Sequence, residues 1–361
     1  MIKKHIKTVK IGKKEIQNYA EPFVIAEIGA NHNGNLDLAE KLIKNAKKAG
    51  ADSAKFQLWS KTNLSSRPMY ENDPGLIQQI ESWAFGNEEM IKMKKICDQN
   101  NILFSCTPVT KENVDFLVED LQVEFMKVAS MDVTNYPFLE YIAKKDIPII
   151  MSTGAATLSE VDEAVRTIEK TGNENLVLLH CLCLYPPTDE EINLLNIDTL
   201  RDIYNYPIGY SDHSIGTVIP LAAIARGACC IEKHFTLDKK MDGWDHSISA
   251  DFEDLKTIVD GGRQINTAFG HPERIPSDRE FKQRMIFRRS IFTAREISEG
   301  EIISENDLVF KRPGNGLEPK NLNLLVGNKA KRDLKEEEMI QWSDIDFVSK
   351  VDVKKIKLKH V

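Results

Sequence analysis

The chain has 361 residues, of which 42% are hydrophobic and 29% charged, with a net charge of −7 and a pI near 5.7. That is enough chain for one large domain and a small one around a real core. The acidic balance speaks against general nucleic-acid binding, which leaves a basic footprint, but a locally basic site for a small anion stays open.

The opening residues MIKKHIKTVK are basic and lack a signal peptide's apolar stretch. No apolar run approaches a membrane span. The expectation is a cytoplasmic protein with neither membrane nor nucleic-acid partners. Cys97, Cys106, Cys181, Cys183, Cys229 and Cys230 show no zinc-type pair spacing. They read as reduced, buried thiols.

Residues 1–22 read as a hairpin-like extension. From 23 to 270, short β-rich apolar runs alternate with longer runs of helical period. The predicted strands are 23–29, 53–59, 102–108, 125–130, 148–153, 176–181, 207–213 and 230–235. A helix is predicted after each. One begins at Leu36 and stops at Gly50, a common C-terminal signal. Another opens at Ser159, with Asp162 three residues on, close to a capping box.

Eight such units match the rhythm of a (β/α)₈ TIM barrel, and strands this apolar suit a buried parallel sheet. A doubly wound sheet would show a phosphate loop after its first strand. The glycine spacing of EIGANHNGN is wrong for that. Beyond Gly270, residues 271–289 read as a polar linker, 290–347 as a small β-rich module and 348–361 as a basic tail. The strand–helix alternation is the one repeat expected.

Barrel catalysis sits at the C-terminal strand ends. Polar residues gather there: Glu27, Asn31, His32, Lys55, Gln57, Thr107, Lys127, Ser130, Asp132, Ser152, Thr153, His180, Ser211, Asp212, His213, Glu232, His234 and Asp245. So many would be costly to bury without a ligand or network. Lys55 and Lys127 interrupt apolar strands. They read as phosphate clamps, as a Schiff-base lysine, or as structural ion pairs with Glu27 or Asp132. His213 and His234 end adjacent strands about 5 Å apart. They read either as ligands of one divalent cation, with Glu27 as an oxygen donor, or as hydrogen-bonded core histidines. His32 and His180 read as substrate contacts or interior histidines. Ser211, Asp212 and His213 cannot be a hydrolase triad, because neighbouring strand residues face opposite ways.

Taken in order, AEIGANHNG (26–34), AKFQ (54–57), KVAS (127–130), STG (152–154), LHC (179–181), IGYSDHS (208–214), EKHFT (232–236), GWDH (243–246) and KRPGNG (311–316) resemble the N-acetylneuraminate synthases and their legionaminic- and pseudaminic-acid relatives. The C-terminal module resembles their antifreeze-like (SAF) domain. The resemblance implies a transferase that condenses phosphoenolpyruvate with an amino-sugar, in a domain-swapped homodimer. It implies Mn²⁺, with Mg²⁺ or Co²⁺ as substitutes, on His213 and His234. Lys55, Thr107, Lys127, Ser130, Ser152 and Ser211 would hold phosphoenolpyruvate. Gln57, Tyr185, Asp245 and Arg312 would contact the sugar, with Arg312 reaching in from the partner subunit. Glu27, Asp132 and Asp212 fall at acidic catalytic positions. Three departures stand out: Cys183 in place of asparagine or serine, Trp244 in place of proline, and Asp132 in place of glutamate. Two competing readings are a Schiff-base pyruvate aldolase and a non-catalytic sugar-binding protein.

Overall fold

Burial of both strand faces decides the architecture. Each predicted strand is apolar on both faces, so one face can line a barrel while the other meets helices. The computed structural model describes residues 7–64, 66, 68 and 74–347. The expected basic tail therefore lies outside the described residues. The chain divides into two compact units after Gly270.

In the first unit, β1 (Val9–Ile11) and β2 (Lys14–Ile16) form an antiparallel hairpin. Eight parallel strands follow: β3 (Phe23–Glu27), β4 (Ser53–Leu58), β5 (Leu103–Pro108), β6 (Met126–Val128), β7 (Ile149–Ser152), β8 (Leu176–Cys181), β9 (Ile208–Asp212) and β10 (Cys230–His234). Their order is β5-β4-β3-β10-β9-β8-β7-β6. β5 and β6 lie side by side where the ladder is interrupted, so the sheet is a nearly closed TIM barrel.

The barrel has two apolar layers. Val24, Ala26, Phe56, Phe104, Met126 and Ile208 face outward onto the helices. Phe23, Ile25, Phe125, Ile150, Val177 and Leu179 face inward, and Val9, Ile11 and Ile16 of the hairpin join them. The hairpin thus stoppers the N-terminal end of the barrel. The opposite end is left to polar side chains.

Helix signals hold with one shift. The helix Leu36–Ala49 is capped by Asn35, whose side chain accepts from Leu38 N, and stops at Gly50 with φ +97°. The helix expected to open at Ser159 runs Leu158–Glu169 and is capped by Thr157, boxed with Glu160. Thr157 is in extended backbone, which a cap requires and a residue inside the first turn cannot adopt.

The second unit holds a helix, Asp278–Phe287, within the segment read as linker. β11 (Ser290–Thr293) pairs antiparallel with β12 (Leu308–Lys311), and β13 (Lys329–Ala330) with β14 (Ile345–Asp346). A second repeat appears here that the sequence reading missed. Arg295 pairs with Glu301 and Asp307, and Arg332 pairs with Glu338 and Asp344 at the same spacings. Ile297 and Ile303 of one half match Leu334 and Ile340 of the other in the core.

Close packing on β9 supplies a test. A Cβ at Gly209 would come within 2.4 Å of the Cys230 carbonyl oxygen and 2.5 Å of Leu179 Cδ2. Gly209→Ala is expected to cost about 1–3 kcal/mol by overpacking, read as a lower urea midpoint at unchanged slope. An unchanged midpoint would mean that β9 and β10 are not this tightly apposed.

Candidate active site

Strand register carries the polar groups to one point. Lys55 sits across from Glu27 and Ser105, Gln57 from Thr107, Ser211 from Cys181 and Glu232, and His234 from Glu27. Alternate positions on each strand face the axis, so these side chains converge. All but Ser105 line a cavity of about 240 Å³ with Lys127, Ser130, Ser152, Cys183, Tyr185 and His213.

Its floor is a buried charge network. Lys55 Nζ lies 2.5 Å from Glu27 Oε2 and 3.8 Å from Glu232 Oε2. It also donates to Thr107 Oγ1 at 3.0 Å. Lys127 Nζ donates to Ser152 Oγ at 2.7 Å and lies 3.8 Å from Glu232 Oε1. Ser211 Oγ donates to Glu232 Oε1 at 3.1 Å. Gln57 bridges Glu27, at 2.7 Å, and the Trp59 indole, at 3.0 Å. Ser130 Oγ accepts from Gly154 N at 2.9 Å.

The two carboxylates are pushed apart. Burial drives Glu27 up, and Glu232 adds to it against the pull of Lys55, leaving it at about 7. Burial also opposes ionisation of Glu232, but Lys127 and Lys55 outweigh it and hold that carboxyl below its ordinary value. Burial works against the Lys55 charge too, and there Glu232 and Glu27 prevail and raise it. Lys127 is held down by burial, which Glu232 only partly offsets.

Two imidazoles flank this floor, their ring centroids 5.4 Å apart. His213 Nδ1 lies 2.6 Å from the Leu182 carbonyl oxygen, which fixes the proton there and leaves Nε2 as the donor atom. His234 Nδ1 is buried without a hydrogen-bond partner, 3.5 Å from Asp245 Oδ2. Burial lowers both to about 4, so they are neutral and competent to ligate. Among the described residues, no three histidine, cysteine or carboxylate side chains are already closed around one point. An orphaned imidazole nitrogen beside a carboxylate fits a divalent cation.

Tyr185 lies over His213, with centroids 4.1 Å apart. Trp244, half-exposed, stacks on the cavity-lining Trp59 at 6.0 Å and donates to Gln79 at 2.9 Å.

Residues 42–274 match the NeuB family and residues 288–346 match the SAF domain. This chain belongs to the NeuB family. An N,N'-diacetyllegionaminic acid synthase of Campylobacter jejuni is 40% identical over 332 residues, covering 88% of this chain and 98% of that protein. The human N-acetylneuraminate-9-phosphate synthase is 32% identical over 339 residues, covering 90% and 92%. The crystal structure of a sialic acid synthetase from Leptospira borgpetersenii, in complex with citrate, aligns with a TM-score of 0.71 at 35% identity, over 77% of this chain and 95% of that one.

Not every expected residue reaches the NeuB-family cavity. Asp212 is a correction. Its side chain points to the helix layer, where Oδ2 meets Lys233 Nζ at 2.7 Å with both side chains fully buried, and Oδ1 accepts from Ser214 N at 2.9 Å. It braces the backbone that carries Ser211 and His213. Asp132 is not among the residues lining the cavity, although Ser130 and Met131 are; its Oδ1 accepts from Asn135 Nδ2 at 3.0 Å and its Oδ2 is buried without a hydrogen-bond partner. His32, stacked on Phe85 at 3.8 Å, and His180, held by the Ile192 carbonyl at 2.7 Å, are interior histidines. Arg312 belongs to the second unit, its guanidinium carbon 5.0 Å from the Phe287 ring centre. Cys183 is exposed, unlike the other five thiols. Glu232 was given no role from sequence. Its spacing, two residues before His234 on the same face, was the available signal.

Asp212→Asn should lower stability by about 3–5 kcal/mol, because it strands the Lys233 charge. Asp212→Leu combined with Lys233→Met should recover much of that. Normal stability of Asp212→Asn with abolished turnover would restore Asp212 to the catalytic set.

Proposed function

We propose that this chain condenses phosphoenolpyruvate with an open-chain N-acylated amino-hexose and water, giving a nonulosonic acid and phosphate. The acceptor is N-acetylmannosamine or a 2,4-diacetamido-trideoxyhexose. One observation carries the proposal: two buried ammoniums ringed by Thr107, Ser130, Ser152 and Ser211 share one cavity with two neutral imidazoles. The first group suits a small polyanion, and the second suits an electrophile to be activated. The names of the relatives point the same way.

Lys55 and Lys127 take the phosphate and carboxylate of phosphoenolpyruvate as point charges, and the hydroxyls orient its oxygens. His213 and His234, with Asp245 beside them, hold one divalent cation, Mn²⁺ first. When bound, the cation supplies Lewis-acid polarisation of the sugar aldehyde. C3 of phosphoenolpyruvate forms a bond to the aldehyde carbon as the C=O π bond breaks, the aldehyde oxygen takes a proton to become a hydroxyl, and positive charge is left at C2. Glu27, wedged between Lys55 and Gln57, positions a water against C2 and takes its proton. Phosphate leaves with cleavage of its C–O bond. Glu232, lying between both lysines, sets their positions. Tyr185, Gln57 and Trp59 face the sugar. In the swapped homodimer that belongs to this proposal, Arg312 meets the N-acyl group, for which its planar fork is suited.

Phosphate release is the direct test. Purified protein with Mn²⁺ should release phosphate from phosphoenolpyruvate with one amino-sugar of a panel, and EDTA should abolish it. Borohydride trapping of pyruvate on Lys127 or Lys55, with no phosphate released, would establish the aldolase reading instead. Glu27→Gln should lower kcat by about 10²–10⁴-fold, as loss of a general base does. A change of only a few-fold would remove Glu27 from that role.

A further inference from the structure

Condensation has no use for a thiol, yet the cavity carries two. Cys181 ends β8 and Cys183 follows two residues on, so both face the barrel axis, and both line the cavity. Cys183 lies beside the Ser130 hydroxyl, and Lys127 lines the same cavity as both thiols. Gly154 makes room for this cluster. A Cβ there would come within 2.8 Å of both Cys183 Sγ and Ser130 Oγ. Cys183 is thus part of the wall of the anion cradle, and it is the exposed thiol of the pair.

The pair has the division of labour of a reactive dithiol. Cys181, joined by Ser130 and Lys127 and opposed by burial, draws the Cys183 thiol down to about 6. Cys183, with burial, pushes Cys181 up. The exposed sulfur is therefore the nucleophile and the buried one the proton-bearing neighbour. One residue separates the two cysteines, so their Cα atoms are at most roughly 7 Å apart, near the upper limit of the span a disulfide bridges. Leu182 and Cys183 lie beyond the last ladder residue of β8, so no strand pairing opposes a small approach.

We propose that Cys183 and Cys181 form a peroxide-sensitive dithiol whose closure to a disulfide disables the anion cradle. The Cys183 thiolate attacks one oxygen of hydrogen peroxide, the O–O bond breaks, and hydroxide leaves to take a proton. The resulting sulfenic acid is attacked by the Cys181 sulfur, the S–O bond breaks and a second water departs. Two thiols and one peroxide become one disulfide and two waters. The bond draws Cys183 Sγ towards Cys181 and away from Ser130, which removes one wall of the cradle. A bound polyanion opposes the first step, since it repels the thiolate and fills the space that peroxide needs.

The loss of activity rests on the synthase reading, whereas the disulfide does not. The experiment exposes the full-length, Mn²⁺-loaded enzyme to a few equivalents of hydrogen peroxide, with and without saturating phosphoenolpyruvate, and then blocks remaining thiols with iodoacetamide. The expected result is a peptide spanning Cys181 and Cys183 that has lost two hydrogens and resists alkylation. Turnover should fall by about tenfold or more and return with dithiothreitol. Cys183→Ser and Cys181→Ser should each keep their own untreated activity through the same exposure. Phosphoenolpyruvate should slow closure severalfold. Full alkylation of both residues after activity has fallen would overturn the proposal. A disulfide formed in protein that turns over no sugar would uphold the dithiol and sink the synthase reading. Intact thiols in an active enzyme would do the reverse.

Discussion

Two ammoniums and two carboxylates lie buried together at one end of the barrel, within 4 Å of one another along the chain Glu27–Lys55–Glu232–Lys127. Ions taken out of water must be compensated by geometry and hydrogen bonds, or the fold loses several kcal/mol for each. Here the compensation comes from neighbouring strands: Thr107 of β5, Ser152 of β7, and Ser211 of β9. The barrel therefore has to place β3, β4, β6 and β10 in register before any of these charges is satisfied. Closure of the apolar end by the hairpin, through Val9, Ile11 and Ile16, supplies the hydrophobic counterpart.

The same network sorts like groups into different tasks. Glu27 and Glu232 are both buried glutamates near Lys55. Glu232 lies between two ammoniums and stays ionised. Glu27 meets one ammonium and the field of Glu232, so its proton affinity rises towards neutrality. Environments that push paired titratable groups apart let one cavity hold an ionised carboxylate beside one of raised proton affinity. The histidines follow the same logic. Burial empties them of charge, and the Leu182 carbonyl selects the tautomer of His213.

The residues beside the active strand ends are supports. Asp212 and Lys233 alternate with Ser211, Glu232 and His234, and their fully buried pair ties β9 to β10 from the outer face. Trp244, on the loop after β10, reaches Trp59 at the cavity wall and Trp83 at 4.9 Å. The second unit shows that fold-level symmetry needs little sequence identity. Its two Arg–Glu–Asp triads repeat while the intervening residues differ, because only the ion pairs and the Ile or Leu beneath them have to recur.

Amino-acid pattern alone determined the barrel, its eight strands and most of the cavity. Parallel strands need apolar runs of a definite length, and polar residues interrupting such runs are too costly to bury without purpose. Lys55, Lys127, His213 and His234 were legible for that reason. What tertiary structure decided was direction and partnership. Asp212 falls at an expected catalytic position, yet the pleat turns it outward onto Lys233. Glu232 looked incidental until register set it between two lysines contributed by β4 and β6. Cys183 stands out in the sequence as a departure from asparagine or serine, but only the structure exposes it, at the end of β8 and lining the cavity near Ser130. Strand periodicity carries the facing of Asp212 and Glu232, but their partners Lys233, Lys55 and Lys127 come from other strands, and no local periodicity encodes those pairings.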